Sequence, residues 1–281
     1  MSAPARPLRR RLAALAPHLV LIAGAAFMCG PFVWMVLTSL KPAADIFSSG
    51  FALPTALGPA LDNYHYALTG APLLRFMLNG VIVCAGILVV QVTTAVFAAY
   101  ALAKLSFRGR DIIFAAILFG LAVPTQVPAI PIFVALAHAG LLNSYFALMF
   151  PFFASFFGIF LLRQFFMSYP DEIIDAARLD GLSEFEIVVG LLLPSAWPAI
   201  AAFATFSVAA HWNDLYWPLI VVRTPDMGTA PLGMMYFRDS QLGSNYGALM
   251  AAATIVLAPL LAVFLVARRY FVQGVTMTGL K

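Results

Sequence analysis

The chain has 281 residues, 63% of them hydrophobic and only 10% charged, with a formal net charge of +4. Soluble domains carry about 25% charged residues, so these charges are too few to coat a solvated surface, and a mean hydropathy of +0.94 points the same way. The composition excludes a large soluble globule. The basic surplus is clustered between long apolar runs, which argues for membrane topology rather than a nucleic-acid partner.

At the start of the chain Arg6, Arg9, Arg10 and Arg11 precede an apolar stretch from Leu12 to Leu40. It is longer than the roughly 7–15-residue core of a cleaved signal, so a retained first span is expected. A hydrocarbon core of about 30 Å requires about 20 apolar residues per helix. Six stretches qualify: 16–39, 77–102, 111–136, 145–165, 197–221 and 248–268. Lipid forces the backbone to satisfy its own hydrogen bonds, so the spans are helices. The expected fold class is all-α, a polytopic membrane protein of one transmembrane domain, 1–281. A cytoplasmic helix is expected between spans four and five.

Lys and Arg set the orientation. With the N-terminus inside, the inner segments hold twelve of them: the four N-terminal arginines, Lys104, Arg108, Arg110, Arg163, Arg178, Arg268, Arg269 and Lys281. The outer segments hold four, Lys41, Arg75, Arg223 and Arg238, which predicts both termini in the cytoplasm. Outer residues 41–75 and 222–247 are punctuated by Pro and Gly and are expected to be turn-rich. Cys29 and Cys84 lie inside apolar runs and read as small hydrophobes rather than a disulfide or metal pair.

The segment between spans four and five, residues 168–194, holds half of all the acidic residues. Ser168 is expected to cap a short helix with Pro170 in its first turn. Asp171 and Glu172 suit the positive end of the helix dipole and Arg178 the negative end. Gly181 suits the left-handed residue that ends a helix, and Ser183 with Glu186 forms a capping box that opens a second one. Pro194 marks a break before span five. Ala176 and Ala177 leave one side of the first helix without bulk, open to close approach by another surface. Local chemistry alone is equally consistent with a well-capped pair of interfacial helices.

The string Asp175-Ala176-Ala177, then Asp180-Gly181, then Leu193-Pro194 resembles the EAA loop of ABC-importer permeases, with Asp175 where that family usually carries Glu. The shorter acid keeps the charge but reaches one methylene less. Residues 34–42, 157–166, 212–218 and 269–274 look like the carbohydrate-uptake branch, similar to the smaller (MalG-like) permease of maltose systems. The resemblance implies that the loop sits in a cleft of a separate ATPase, which binds the ATP and Mg and leaves this chain without a cofactor or catalytic residue. It also implies a homologous second permease forming a heterodimer, an extracytoplasmic sugar-binding protein, and a location in the bacterial inner membrane. A C-terminal tail, 274–281, is expected to reach the ATPase pair.

Two polar sets lie inside the spans. In span three Pro124, Pro128 and Pro131 each free a carbonyl, and Thr125 and Gln126 then either face a sugar path or mark a packed kink. In span five Trp212, Asn213 and Asp214, beside His211, suit a sugar site. Equally, Asp214 fits a water interface, with Trp212 and Trp217 as aromatic-belt anchors. His18, His65 and His138 are isolated and read as structural. Tyr236, Phe237 and Arg238 are types enriched at interfaces, which fits either a binding-protein contact or a solvated loop.

A secondary transporter would show repeats or charged relays within the membrane, and the chain has no repeat and at most one acid there. No His-Glu-x-x-His motif, nucleophile elbow or P-loop occurs; none of Lys41, Lys104 and Lys281 follows a glycine. The expected function is a non-catalytic permease for a di- or oligosaccharide, with polyols or glycerol-phosphate-type solutes as the alternative.

Overall fold

The computed structural model describes residues 8–48, 50–51, 53, 58–237 and 245–278. Among these every regular element is helical. The chain divides into two compact units. One comprises the chain up to Ala71 together with Tyr236–Ile255; the other comprises Pro72–Met235 and the chain from Val256.

The first unit contains helices α1 (Leu8–Ser39) and α2 (Gly58–Thr69). The membrane-spanning stretch of α1, Pro17–Ser39, has none of its apolar window buried within the chain, so Cys29 is exposed there. Order concentrates at its C-terminal end. The Asn63 amide donates to the carbonyls of Ser39 and Lys41 at 3.0 and 2.9 Å, satisfying acceptors that the helix end leaves free. Lys41 is buried, donates to the Gly50 carbonyl and lies 5.6 Å from the Trp34 ring centre. A Cβ at Gly247 would lie 2.5 Å from Asn63, so glycine lets that backbone approach.

The second unit is built along α3 (Leu73–Lys104), a Pro-free helix of 32 residues. The segment expected as span three is divided into α4 (Arg110–Ala122) and α5 (Ala129–His138). At about 1.5 Å per residue neither half crosses a 30 Å core alone. Pro124 and Pro128 fall in the break, where each lacks an amide donor. The fourth span is also interrupted. It begins as α6 (Tyr145–Met149), passes a 3-10 turn holding Pro151, and continues as α7 (Phe156–Met167) at a 46° bend.

Next come α8 (Asp171–Leu179), α9 (Glu184–Ile187), a π-helical turn Val188–Leu192 and α10 (Leu193–Ser195). The chain then bends by 77° into α11 (Trp197–Trp212), followed by α12 (Tyr216–Val221) and the short α13 (Ala230–Gly233). The last helix, α14 (Tyr246–Thr278), starts in the first unit and continues in the second. Pro194 therefore sits inside a helical turn, not at the break expected there. A π turn precedes it, and the bend falls two residues later, at Ala196.

Two apolar clusters hold the second unit. One joins Tyr100, Leu162 and Phe166 to Ile174, Ala177, Ile187 and Leu192, and so includes the loop helices; the other joins Ile87, Leu136, Leu148, Trp217 and Val221. Gly158 permits a close approach of α7 to α11: a Cβ there would lie 2.8 Å from the buried Phe203 ring.

Candidate functional site

Residues 168–194 form a helix, a tight turn and a second helix. Ser168 does not cap the first. Its hydroxyl donates back to the Phe165 carbonyl at 2.7 Å, closing α7, and Pro170 occupies the N-cap position of α8. The Phe165 carbonyl and the first amide of α8, at Asp171, each lie three residues from Ser168, and the hydroxyl takes the carbonyl behind it. The end of α8 is a Schellman turn. Gly181, at φ +86°, donates to the Arg178 carbonyl at 3.0 Å, and Leu182 donates to the Ala177 carbonyl at 3.1 Å. The capping box of α9 forms in both directions between Ser183 and Glu186, and those hydrogen bonds hold the exposed Glu186 carboxyl below its ordinary range.

The first loop helix is two-sided. Ile174 and Ala177 are buried in the core, whereas Ile173, Asp175, Ala176, Leu179 and Asp180 are exposed, Leu179 to 89%. The two alanines thus face opposite ways. Ala177 lets α8 sit close on its own protein, and Ala176 keeps the outer face low. Leu193 is half-buried and Pro194 exposed.

Polar groups at the end of α3, together with ion pairs inside the loop, fasten it. Arg178 donates to Glu184 at 2.9 Å and to Asp175 at 3.0 Å, and the Tyr100 hydroxyl donates to Glu184. Arg178 first, and Tyr100 second, hold the Glu184 carboxyl below the usual carboxylate range. Lys104 donates to the Tyr169 carbonyl at 2.6 Å and pairs with Asp171. Arg163 donates to the Leu102 carbonyl at 3.2 Å and stacks 3.7 Å from the Phe114 ring centre. Asp175 spends its carboxylate on Arg178 of its own helix. Tyr100 and Lys104 were not legible as loop partners, because their positions depend on how α3 packs.

The broken helices surround a cavity of about 690 Å³. Thr125 and Gln126, from the break between α4 and α5, line it together with Ser207, His211 and Asp214 from α11 and its end. The structure therefore brings together three of the five span residues singled out by the sequence. The other two are placed elsewhere. Trp212 is buried, packs on Gly80 and donates its indole N–H to the Val256 carbonyl at 3.1 Å. Asn213 donates to the Ala209 carbonyl at 2.8 Å. Trp217 is buried too, with its N–H on the Ala147 carbonyl at 2.8 Å, so neither tryptophan is a lipid-facing anchor.

The cavity's most connected polar residue, Gln91, carried no sequence signal. It is 4% exposed in the middle of an apolar helix. Its amide nitrogen donates to the Phe152 carbonyl at 2.7 Å and lies 3.3 Å from His211 Nε2, while its oxygen accepts from Ser207 at 2.6 Å. The Phe152 carbonyl can only accept, which fixes the amide orientation, so His211 Nε2 must accept the second amide hydrogen. The imidazole carries its proton on Nδ1.

The segment after α12 is pinned from α3 as well. Asn79 donates to the carbonyls of Asp226 and Gly228, both at 2.8 Å, and accepts from Tyr145 at 2.7 Å. Of the three residues singled out further along, Phe237 is buried with its ring against Tyr66, Tyr236 lies in the 3-10 turn Met234–Phe237, and Arg238 lies outside the described residues. Gly274 to Thr278 extend α14.

Apolar helices that break around a largely apolar cavity carrying a few polar groups define a membrane transport protein, since irregular backbone at membrane depth survives only in protein or beside a cavity. Residues 91–277 match the family described as "Binding-protein-dependent transport system inner membrane component", and the chain belongs to it. It is 32% identical to the arabinooligosaccharides transport system permease protein of Halalkalibacterium halodurans, over 89% of this chain and 90% of that one. It is 33% identical to the diacetylchitobiose uptake system permease protein of Streptomyces coelicolor, over 95% and 88%. The lactose transport system permease protein of Rhizobium radiobacter is 32% identical over 95% and 96%. In fold it is similar to a chain of a bacterial ABC transporter involved in the import of the acidic polysaccharide alginate. That match has a TM-score of 0.83 and 22% identity, and covers 96% of this chain and 100% of that one. The chain is thus a non-catalytic, multi-pass membrane subunit of an ABC importer, working with an ATPase and a substrate-binding protein.

Proposed function

We propose that this permease forms half of the translocation path for a di- or oligosaccharide, the other half coming from a homologous second permease. The observation that carries this reading is the cavity of about 690 Å³, which is lined by aromatic rings such as Phe156, Phe206 and Trp217 together with hydroxyl, amide and carboxylate groups. That volume lies within the range of small-molecule sites, and rings with a few convergent polar groups suit a sugar's apolar faces and hydroxyls. The named substrates of the three relatives are sugars, which supports the same class. Thr125, Gln126 and Asp214 are the path residues in this reading, joined by Ser207 and His211. Trp212 and Asn213 fall between the lining residues His211 and Asp214 in sequence but do not line the cavity.

The EAA loop, with Asp175, Ala176, Ala177, Asp180, Gly181, Leu193 and Pro194, is the surface the ATPase grips, its exposed stripe of Ile173, Ala176 and Leu179 entering the cleft. ATP and Mg stay on that partner. Closure of the ATPase pair moves the loop, and the clamp at Tyr100, Lys104, Arg178 and Glu184 passes the motion to α3 and so to Gln91 in the cavity wall. In this reading both termini lie in the cytoplasm and the chain crosses the membrane six times, with the third and fourth spans interrupted. The outer segment 223–238 faces the binding protein. The test is the complete importer in proteoliposomes, assayed for ATP-dependent uptake of radiolabelled lactose, diacetylchitobiose and arabinooligosaccharides. Uptake of at least one is expected, together with crosslinking of Ala176→Cys to the ATPase. Purified complexes without a nucleotide-hydrolysing subunit would overturn the coupling scheme, and uptake of none of the three sugars would overturn the sugar assignment.

A further inference from the structure

We infer that this half of the path is a charge filter: it admits neutral polyhydroxyl solutes and repels anionic ones such as phosphorylated or uronic-acid-bearing sugars. The inference rests on the cavity being the path. Among the described residues that line it there is one carboxylate, Asp214, and no lysine or arginine. The other polar groups are neutral donors and acceptors, and the best placed is already spent. Gln91 gives both amide hydrogens and its oxygen to Phe152, His211 and Ser207, so it has no donor left for an anion.

Helix N-termini do not supply the missing positive charge. At α5, which starts at the cavity wall, Pro128 and Pro131 have no amide hydrogen and the Ala129 N–H donates to the Gln126 carbonyl at 3.2 Å. The one at α7 is capped by the Ser155 side chain, which accepts from the Gly158 N–H at 3.1 Å. The one at α12 is occupied by Asp214 itself, which accepts from the Trp217 N–H at 3.3 Å. What the wall presents to a solute is the Thr125, Ser155 and Tyr216 hydroxyls, the Gln126 amide, the neutral His211 ring and the Asp214 carboxylate. Such a set bonds sugar hydroxyls and offers an anion no counter-charge. A solute phosphate or carboxylate would be desolvated beside a like charge, in a wall too apolar to screen it.

The test measures the sign of the field directly. In a background of Cys29→Ser and Cys84→Ala, Gln126→Cys or, separately, Thr125→Cys is introduced into the complete importer. Each cysteine is reacted at pH 7 with a cationic trimethylammonium methanethiosulfonate and with its anionic sulfonate counterpart, and the rate ratio is compared with that of a free thiol. The expected preference for the cationic reagent exceeds the free-thiol ratio at least tenfold. Asp214→Asn removes that excess and Asp214→Glu keeps it. If both reagents reach the cysteines but the ratio equals that of a free thiol, or survives Asp214→Asn, the filter is wrong while the path stands. If neither reagent reaches either cysteine, the path reading falls and the filter with it.

Discussion

Replacing Gly181 with valine separates backbone conformation from bulk in the loop that turns between α8 and α9. Gly181 sits at φ +86°, and a Cβ there would meet nothing within 4 Å. The substitution therefore creates no clash within the chain; its cost is that of holding an L-residue in left-handed backbone, about 1–2 kcal/mol and at the high end for a β-branched side chain. At about 1.4 kcal/mol per tenfold, 2 kcal/mol lowers the population of the native turn relative to its alternatives by roughly thirtyfold. The two hydrogen bonds of the Schellman turn then fail together, and α9 changes direction relative to α8. Asparagine is the control, because it is bulky yet tolerates this backbone. The expected order of ATP-dependent uptake, normalised to inserted protein, is Gly, then Asn, Ala and Val, with Val close to background and full membrane insertion throughout. Equal loss in Asn and Val would show that bulk, not φ, matters. Normal uptake by Val would refute the claim that this turn sets the coupling geometry.

Three further outcomes follow from the packing and the charges. Gly158→Ala drives a methyl into the buried Phe203 ring and should cost about 1–3 kcal/mol, seen as a lower unfolding temperature of the detergent-solubilised complex; an unchanged temperature would mean α7 and α11 do not pack this closely. Trp212→Phe removes the indole donor to Val256 and should destabilise by about 1 kcal/mol without altering which sugars compete for uptake. A changed sugar preference would return Trp212 to the path itself. The Glu184 carboxyl is held below its usual range, so its share of loop stability is complete above about pH 4.3 and is lost as pH falls through the lower, folded value. Hydrogen exchange across residues 171–186 should be flat from pH 8 to 5 after correction for intrinsic rates, and Glu184→Gln should raise it at neutral pH. Loss of protection already at pH 6 would contradict the clamp.

How much could be read in advance depended on the distance over which each feature acts. The capping box at Ser183 and Glu186 and the left-handed Gly181 are settled within a few residues, so their residue types announced them. The same locality misled at Ser168, whose hydroxyl had two helix ends within reach and took the one behind it. At Pro194 the rule that proline breaks a helix gave way to a π turn that no short pattern signals.

The apolar runs, their Lys and Arg flanks and the loop string settled on their own that this is a helical membrane permease subunit, because hydrophobicity and capping are properties of neighbouring residues. Tertiary structure alone decided where the solute has room. Gln91 meets Ser207 across 116 positions and His211 across 120, and Tyr100 meets Glu184 across 84. Such partners are chosen by how α3, α7 and α11 pack, and a linear string of residues carries no record of that packing.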